Sequence, residues 1–162
     1  MNDFNYNKII TNKGAHPMTT IHMSQALDSK LYHDSLTIRK QVFIEEQGVD
    51  PQIEIDDFES LCFHFCLYRN DQALATCRLY PLNQEEIKMQ RFAVSKNARH
   101  LGYGQALMEA CLKFAKDHHY SSCVLDAQET AIPFYLKLGF KIKSEVFLEA
   151  GIKHRKMAYA LR

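Results

Sequence analysis

The stretch QRFAVSKNARHLGYGQALMEACLKFA, residues 90–115, decides how this chain is read. Its start completes a run, EIKMQRFAV (86–94), with the composition of a β-strand. Its end, within YGQALMEACLKFAKDHH (103–119), sets Ala106, Leu107, Ala110, Cys111, Phe114 and Ala115 at helical spacing, with Glu109 and Lys113 as an expected solvent-side i,i+4 pair. Between strand and helix lie Gly102 and Gly104. A turn of this kind leaves the first helical amides pointing outward at the positive end of the helix dipole, an arrangement that holds phosphate. Glycine lets the backbone approach an anion closely, and Lys96, Arg99 and His100 add donors. From Lys88 to His100 there are four Lys or Arg residues and no acid. A glycine pair before a helix also describes an ordinary turn. The loop has no GK followed by Ser or Thr, and its GYG does not complete GxGxxG, which argues against triphosphate and dinucleotide sites.

Outward from this segment, the chain reads as one mixed α/β domain. Apolar residues Leu31, Ile38 and Val42 recur at helical spacing from Leu27 to a stop at Gln47-Gly48. LCFHFCLYRNDQALATCRLYPL (61–82) reads as a hairpin turning at Asn70-Asp71. SSCVLDA (121–127) is a nearly continuous apolar strand, as expected for one covered on both faces. TAIPFYLKLGF (130–140) reads as a short helix with Pro133 in its first turn and Gly139 as its stop, and FKIKSEVF and HRKMAYAL as closing strands. Residues 1–17 are polar and rich in Asn, which predicts a flexible extension ahead of a single domain over 18–162.

The 162 residues carry 20 Lys and Arg against 19 Asp and Glu, a net charge of +1 that supports no bulk attraction to nucleic acid. No run reaches the roughly 20 apolar residues of a membrane span, and the start lacks a secretory pattern, so a cytoplasmic protein is expected. The five scattered cysteines, Cys62, Cys66, Cys77, Cys111 and Cys123, suit a reducing compartment and read mostly as small buried apolar residues.

RHLGYG at 99–104 matches the RxxGxG signature of the GNAT superfamily of acyl-CoA-dependent N-acyltransferases, and the chain resembles that family over about residues 20–162. VLDAQETAIPFYLKLGF resembles its next strand and tyrosine-bearing helix, and RKQVFIEEQGVD and EAGIKHRKM resemble its ElaA-like subgroup. The resemblance implies an α/β fold of α+β type: a mixed, mostly antiparallel sheet, splayed at an acyl-CoA cleft, with helices on both faces. It implies acetyl-CoA as co-substrate, with Phe92, Ala93 and Val94 pairing the pantetheine arm. The diphosphate is expected on the amides of Arg99, His100, Leu101, Gly102, Tyr103, Gly104 and Gln105, with Gln128 nearby. Tyr135 aligns with the tyrosine often found near the thioester sulfur.

The implied reaction is direct transfer of acetyl to a primary amine of a small molecule in a ternary complex. An alkyl amine with a pKa near 10.4 is neutral in only about one molecule per thousand at pH 7, so a proton acceptor is needed. Many relatives carry Glu before the loop where this chain has Gln90, and an amide cannot accept the proton. That departure encourages an alternative, a non-catalytic acyl-CoA-binding or sensing module of the same fold. Candidate bases are His64, Glu54, Asp56, Asp57, Glu129 and His154, directly or through water. In CFHFCLY, alternation sets Cys62, His64, Cys66 and Tyr68 on one face, where His64 either faces the substrate channel or is a hydrogen-bonded strand histidine. Cys62, His64 and Cys66 alone do not close a tetrahedral shell, and no metal is expected. Residues 45–60 hold seven acids and no Lys or Arg, either a solvated loop or a surface that draws a cationic amine. Glu54, Asp57, Glu149 and His154 are the candidate acceptor contacts; no nucleic acid or membrane partner is expected, and the chain is read as a monomer or homodimer.

Overall fold

The structure, a computed structural model, describes residues 19–162, so the extension expected over 1–17 lies outside the described residues. The chain order is β1 (Thr19–Ser24), α1 (Lys30–Arg39) continued by a π-helical segment (Lys40–Glu46), α2 (Pro51–Glu54), β2 (Phe63–Arg69), β3 (Gln72–Pro81), β4 (Glu86–Val94), α3 (Tyr103–Asp117), β5 (Ser122–Gln128), α4 (Ile132–Lys137), β6 (Lys141–Ile142), β7 (Phe147–Glu149) and β8 (Ile152–Ala160). Among the described residues eight strands form one sheet in the order β1-β2-β3-β4-β5-β8-β6, with β7 also on β8. Every pairing is antiparallel except β4 with β5.

Local chemistry explains the elements. Ser29 caps α1 by accepting from the Tyr32 amide at 3.1 Å, and Gly48, at φ 71°, ends the π-helical extension. Asn70 and Asp71 both take positive φ, as a two-residue turn between twisted strands requires. Gly139 sits at φ 101° with the Tyr159 ring 3.1 Å from where a Cβ would stand. Two expectations are corrected. The 140–147 run is split into β6 and β7, both paired to β8, rather than one strand. The expected Glu109–Lys113 pair is replaced by Lys113–Asp117 at 2.7 Å, while Gln105 donates to Glu109. Strand β1 and the single turn of α2 lie outside the expected elements: in TTIHMS the buried positions alternate, but Thr19 gives no apolar signal there, and one turn of α2 is too short to show a period.

The main core lies between the sheet and α3. Leu107 and Met108 are fully buried there with Leu67, Leu79, Ile87 and Met157, each such side chain contributing about 1.5–3 kcal/mol. The five cysteines are all free and buried. On the other face α1 covers β2 and β3, and here the interior is ionic. The Arg39 guanidinium, 1% exposed, meets Glu54 Oε1 at 2.6 Å and Glu59 Oε1 at 2.8 Å. Arg78, equally buried, reaches Glu59 at 2.6 Å and Asp56 at 2.7 Å. These arginines hold Asp56 and Glu59 below the usual carboxylate range despite their burial.

Arg39→Ala removes the main partner of the buried Glu54 and leaves Glu59 to Arg78 alone, so a loss of about 3–5 kcal/mol in urea unfolding is expected. His64, 0% exposed against the Tyr32 ring, has its pKa lowered by burial. The unfolded chain therefore takes up a proton near pH 6.5 that the folded chain refuses, and stability is full above that pH and declines as pH falls below it. Thermal melts from pH 7.5 to 5 should show this decline, and His64→Gln should flatten it.

Candidate active site

Strands β4 and β5 pair only from Glu86↔Ser122 to Met89↔Leu125. Beyond that point they part. Their other edges stay paired, β4 to β3 through Val94 and β5 to β8 through Gln128. The cause lies in β4, where Gln90 faces Arg78 and Ala93 faces Thr76, so Arg91 and Phe92 together oppose Cys77. Arg91 takes φ 55°, a bulge that bends the strand away from its neighbour. The edge of residues 90–94 facing β5 is thereby left without a strand partner, open to an extended ligand with amides of its own.

At the end of this wedge stands the glycine turn. Gly102 is the N-cap of α3 at φ 87° and supplies no side-chain cap, so the first turn faces the loop with its amides uncapped by a side chain. Residue 102 therefore needs a left-handed conformation; residue 104 does not. A Cβ on Gly104 would lie 3.4 Å from Val94, 3.5 Å from Phe134 and 3.6 Å from Phe92, ordinary contact distances that mark how closely α3 approaches the parted strands. His100 is exposed at φ 63°, and Leu101 is 51% exposed. Tyr103 is 1% exposed and its hydroxyl accepts from Arg69 at 2.7 Å, which leaves only its backbone at the turn. A cavity of about 1070 Å³ opens beside the loop, bordered by Glu46, Ser95, Lys96, Asn97 and Leu101.

Two of the expected cofactor contacts have their side chains engaged elsewhere. Arg99 donates to the Val94 carbonyl at 3.0 Å and to both Glu46 oxygens at 2.9 and 3.0 Å, so it braces the loop. Gln128 exchanges amide hydrogen bonds with Gln47 at 2.8 and 3.3 Å. Both partners come from the end of the π-helical segment. That segment thus bridges the loop after β4 and the end of β5.

Tyr135 of α4 lies 7% exposed in the core beside the wedge, its ring 6.3 Å from Phe92 and 5.7 Å from Phe140. Among the described residues none hydrogen-bonds its hydroxyl, and burial raises its pKa well above the ordinary tyrosine value. It stays protonated.

The acceptor-side expectations fare differently. His64 does not face a channel: it lies under α1, its Nε2 2.8 Å from the Glu59 carbonyl and its Nδ1 buried without a partner. Glu54 is 2% exposed and held by Arg39, which removes it as a free carboxylate. Asp56 is bound by Arg78 and Arg91. Asp57 is exposed on the loop after α2, and Glu129 begins the turn after β5. Glu149 and His154 do come together, Oε2 to Nε2 at 3.8 Å across the β7–β8 turn, with His154 Nδ1 2.7 Å from the Ile152 carbonyl. His154 stands opposite Gln128, the last residue of β5.

The two charge runs of the sequence largely answer each other. Arg99 takes Glu46, and Arg91 takes Asp56 and the carbonyls of Ile53 and Glu54. Sequence reasoning passed over Asp126, which Lys88 engages across the parting at 2.8 Å. Its signal was a single acid inside an otherwise apolar strand. Among the described residues no group of three His, Cys, Asp or Glu side chains could hold a metal ion, and no helix is long and apolar enough to cross a membrane.

Comparison with known proteins agrees with this geometry. The Acetyltransferase (GNAT) family model matches residues 30–140. The chain is 36% identical over 125 residues to the uncharacterized N-acetyltransferase YjcF of Bacillus subtilis, covering 76% of this chain and 89% of that protein. The crystal structure of Escherichia coli ElaA superposes with a TM-score of 0.77 at 27% identity, over 87% of this chain and 99% of that one. A GNAT family acetyltransferase from Elizabethkingia anophelis, solved with acetyl-CoA bound, superposes with a TM-score of 0.68 at 20% identity, over 88% and 98% of the two chains. With the parted parallel strands, the left-handed glycine at the helix start and the family match over most of its length, this chain belongs to the GNAT family of N-acetyltransferases.

Proposed function

We propose that the protein transfers acetyl from acetyl-CoA directly to a primary amine of a small molecule within a ternary complex. The observation that carries this reading is the wedge itself: an unpaired β4 edge that ends at an uncapped helix start, with a protonated tyrosine buried alongside. The wedge fits the co-substrate by its chemistry. Backbone groups of Phe92, Ala93 and Val94 suit the amides of a pantetheine arm, and the amides from Arg99 to Gln105 suit a diphosphate. Gly102 suits that turn because glycine adopts its φ of 87° at little strain, whereas a residue with a Cβ does not.

Acetyl transfer requires the amine nitrogen to bond to the thioester carbon while the carbon–sulfur bond breaks. A thiol has a pKa of about 8.5 against about 10 for a phenol, so full proton transfer from tyrosine to the thiolate is uphill by roughly 2 kcal/mol in water. Burial of Tyr135 raises its pKa further. Its role is therefore a hydrogen bond to the departing sulfur. A route through an acetylated cysteine has poor support, because burial pushes the Cys62 thiol up to about 11 and Cys66 and Cys123 up to about 12.

The alternative is a non-catalytic acyl-CoA sensor, favoured by Gln90, whose Oε1 accepts from Arg78 at 3.1 Å and takes no proton. A panel of polyamines, amino sugars, amino acids and peptides distinguishes the two by CoA release. Tight acetyl-CoA binding without acceptor-dependent release would identify the sensor.

Tyr135→Phe should lower kcat by about tenfold or more while leaving acetyl-CoA affinity nearly unchanged; unchanged turnover on the best acceptor would remove the assigned role. Gly102→Val should weaken acetyl-CoA binding roughly tenfold by calorimetry, equivalent to about 1.4 kcal/mol, because a β-branched residue resists the left-handed conformation.

A further inference from the structure

The β4–β5 register stops at Met89↔Leu125, and continuing it by one residue sets Gln90 opposite Asp126. Lys88 and Gln90 lie two apart on β4, hence on one face, and the Lys88 Nζ to Asp126 Oδ2 contact of 2.8 Å puts Asp126 on that face too. Gln90 offers no basic atom. Asp126 is therefore the carboxylate that borders the parting where the strands separate, on the face away from the α3 core that holds Tyr135. Its side chain is 17% exposed, so it is partly shielded yet open to solvent on that face. Asp56, Glu59 and Glu54 are held by arginine guanidinium groups, Asp56 by both Arg78 and Arg91, Glu59 by Arg78 and Glu54 by Arg39, whereas Asp126 is held by a single lysine ammonium.

We propose that Asp126 accepts the proton of the attacking amine and that Lys88 is its positioning residue, an assignment that rests on the acetyl-transfer reading above. The neutral nitrogen's lone pair forms the bond to the thioester carbon, and the carbonyl pair moves onto oxygen. The nitrogen, now cationic, gives one proton to the Asp126 carboxylate. The oxygen pair then restores the carbonyl, and the carbon–sulfur bond breaks with its electrons on sulfur. The proton passes through solvent from Asp126 to that sulfur, yielding amide and thiol with no net proton gained or lost. The charged groups facing this carboxylate are Lys88 from β4 and Lys156, which stands opposite it on β8.

The test uses the full chain, acetyl-CoA and an alkyl primary amine that supports CoA release. Asp126→Asn should lower kcat about 100-fold, flatten the acidic limb of the kcat–pH profile, and leave the acetyl-CoA Kd within about twofold. Asp126→Glu keeps the carboxylate and should recover much of the turnover, and Lys88→Met should give an intermediate loss. Wild-type kcat with an unshifted profile in Asp126→Asn would overturn the assignment while leaving the transferase reading intact. Equal losses in Asp126→Asn and Asp126→Glu would also overturn it, by marking a structural role. A wild-type protein that binds acetyl-CoA but releases no CoA with any amine would remove the transferase reading, and the assignment with it.

Discussion

The bulge at Arg91 decides where this molecule opens. One extra residue in β4 bends the strand, and a parallel pair that runs in register through Met89 and Leu125 separates. A positive φ at an arginine is unfavourable by itself and persists only where the surroundings fix it. Here they do. The Arg91 side chain is tied to the carbonyls of Ile53 and Glu54 and to Asp56, so the loop after α2 and the bend in β4 hold each other.

Behind that contact lies the network of Arg39, Arg78, Glu54, Asp56 and Glu59. Buried ion pairs of this kind contribute little net stability compared with an apolar core, but losing one partner is severe. Their consequence here is positional: they pin an otherwise polar loop over β3 and β4 with its charges compensated. The protein thus has two interiors, an apolar one under α3 and an ionic one under α1.

Much was legible in the sequence because it depended on neighbours along the chain. The α3 periodicity, the Asn70-Asp71 turn, the Gly48 and Gly139 stops and the glycine turn before α3 follow from residues a few positions apart. Charge pairing was not legible. The acidic run of 45–60 and the basic run of 88–99 each invited a ligand-binding reading, yet Glu46 and Arg99 are 53 residues apart and bind one another. His64 fitted the right face of its strand, but alternation gives only a face, and that face is sealed by α1.

The sequence by itself determined the family, the order of elements and the glycine turn at the helix start, since local backbone preference and short motifs carry that information. Tertiary structure decided which charged side chains remain available for chemistry. Burial and long-range partners neutralised Glu54, Asp56 and most of the basic run, and strand register brought Asp126 to the parting beside Lys88. Register across a parallel pair depends on how two distant segments pack, and no spacing along the chain encodes it.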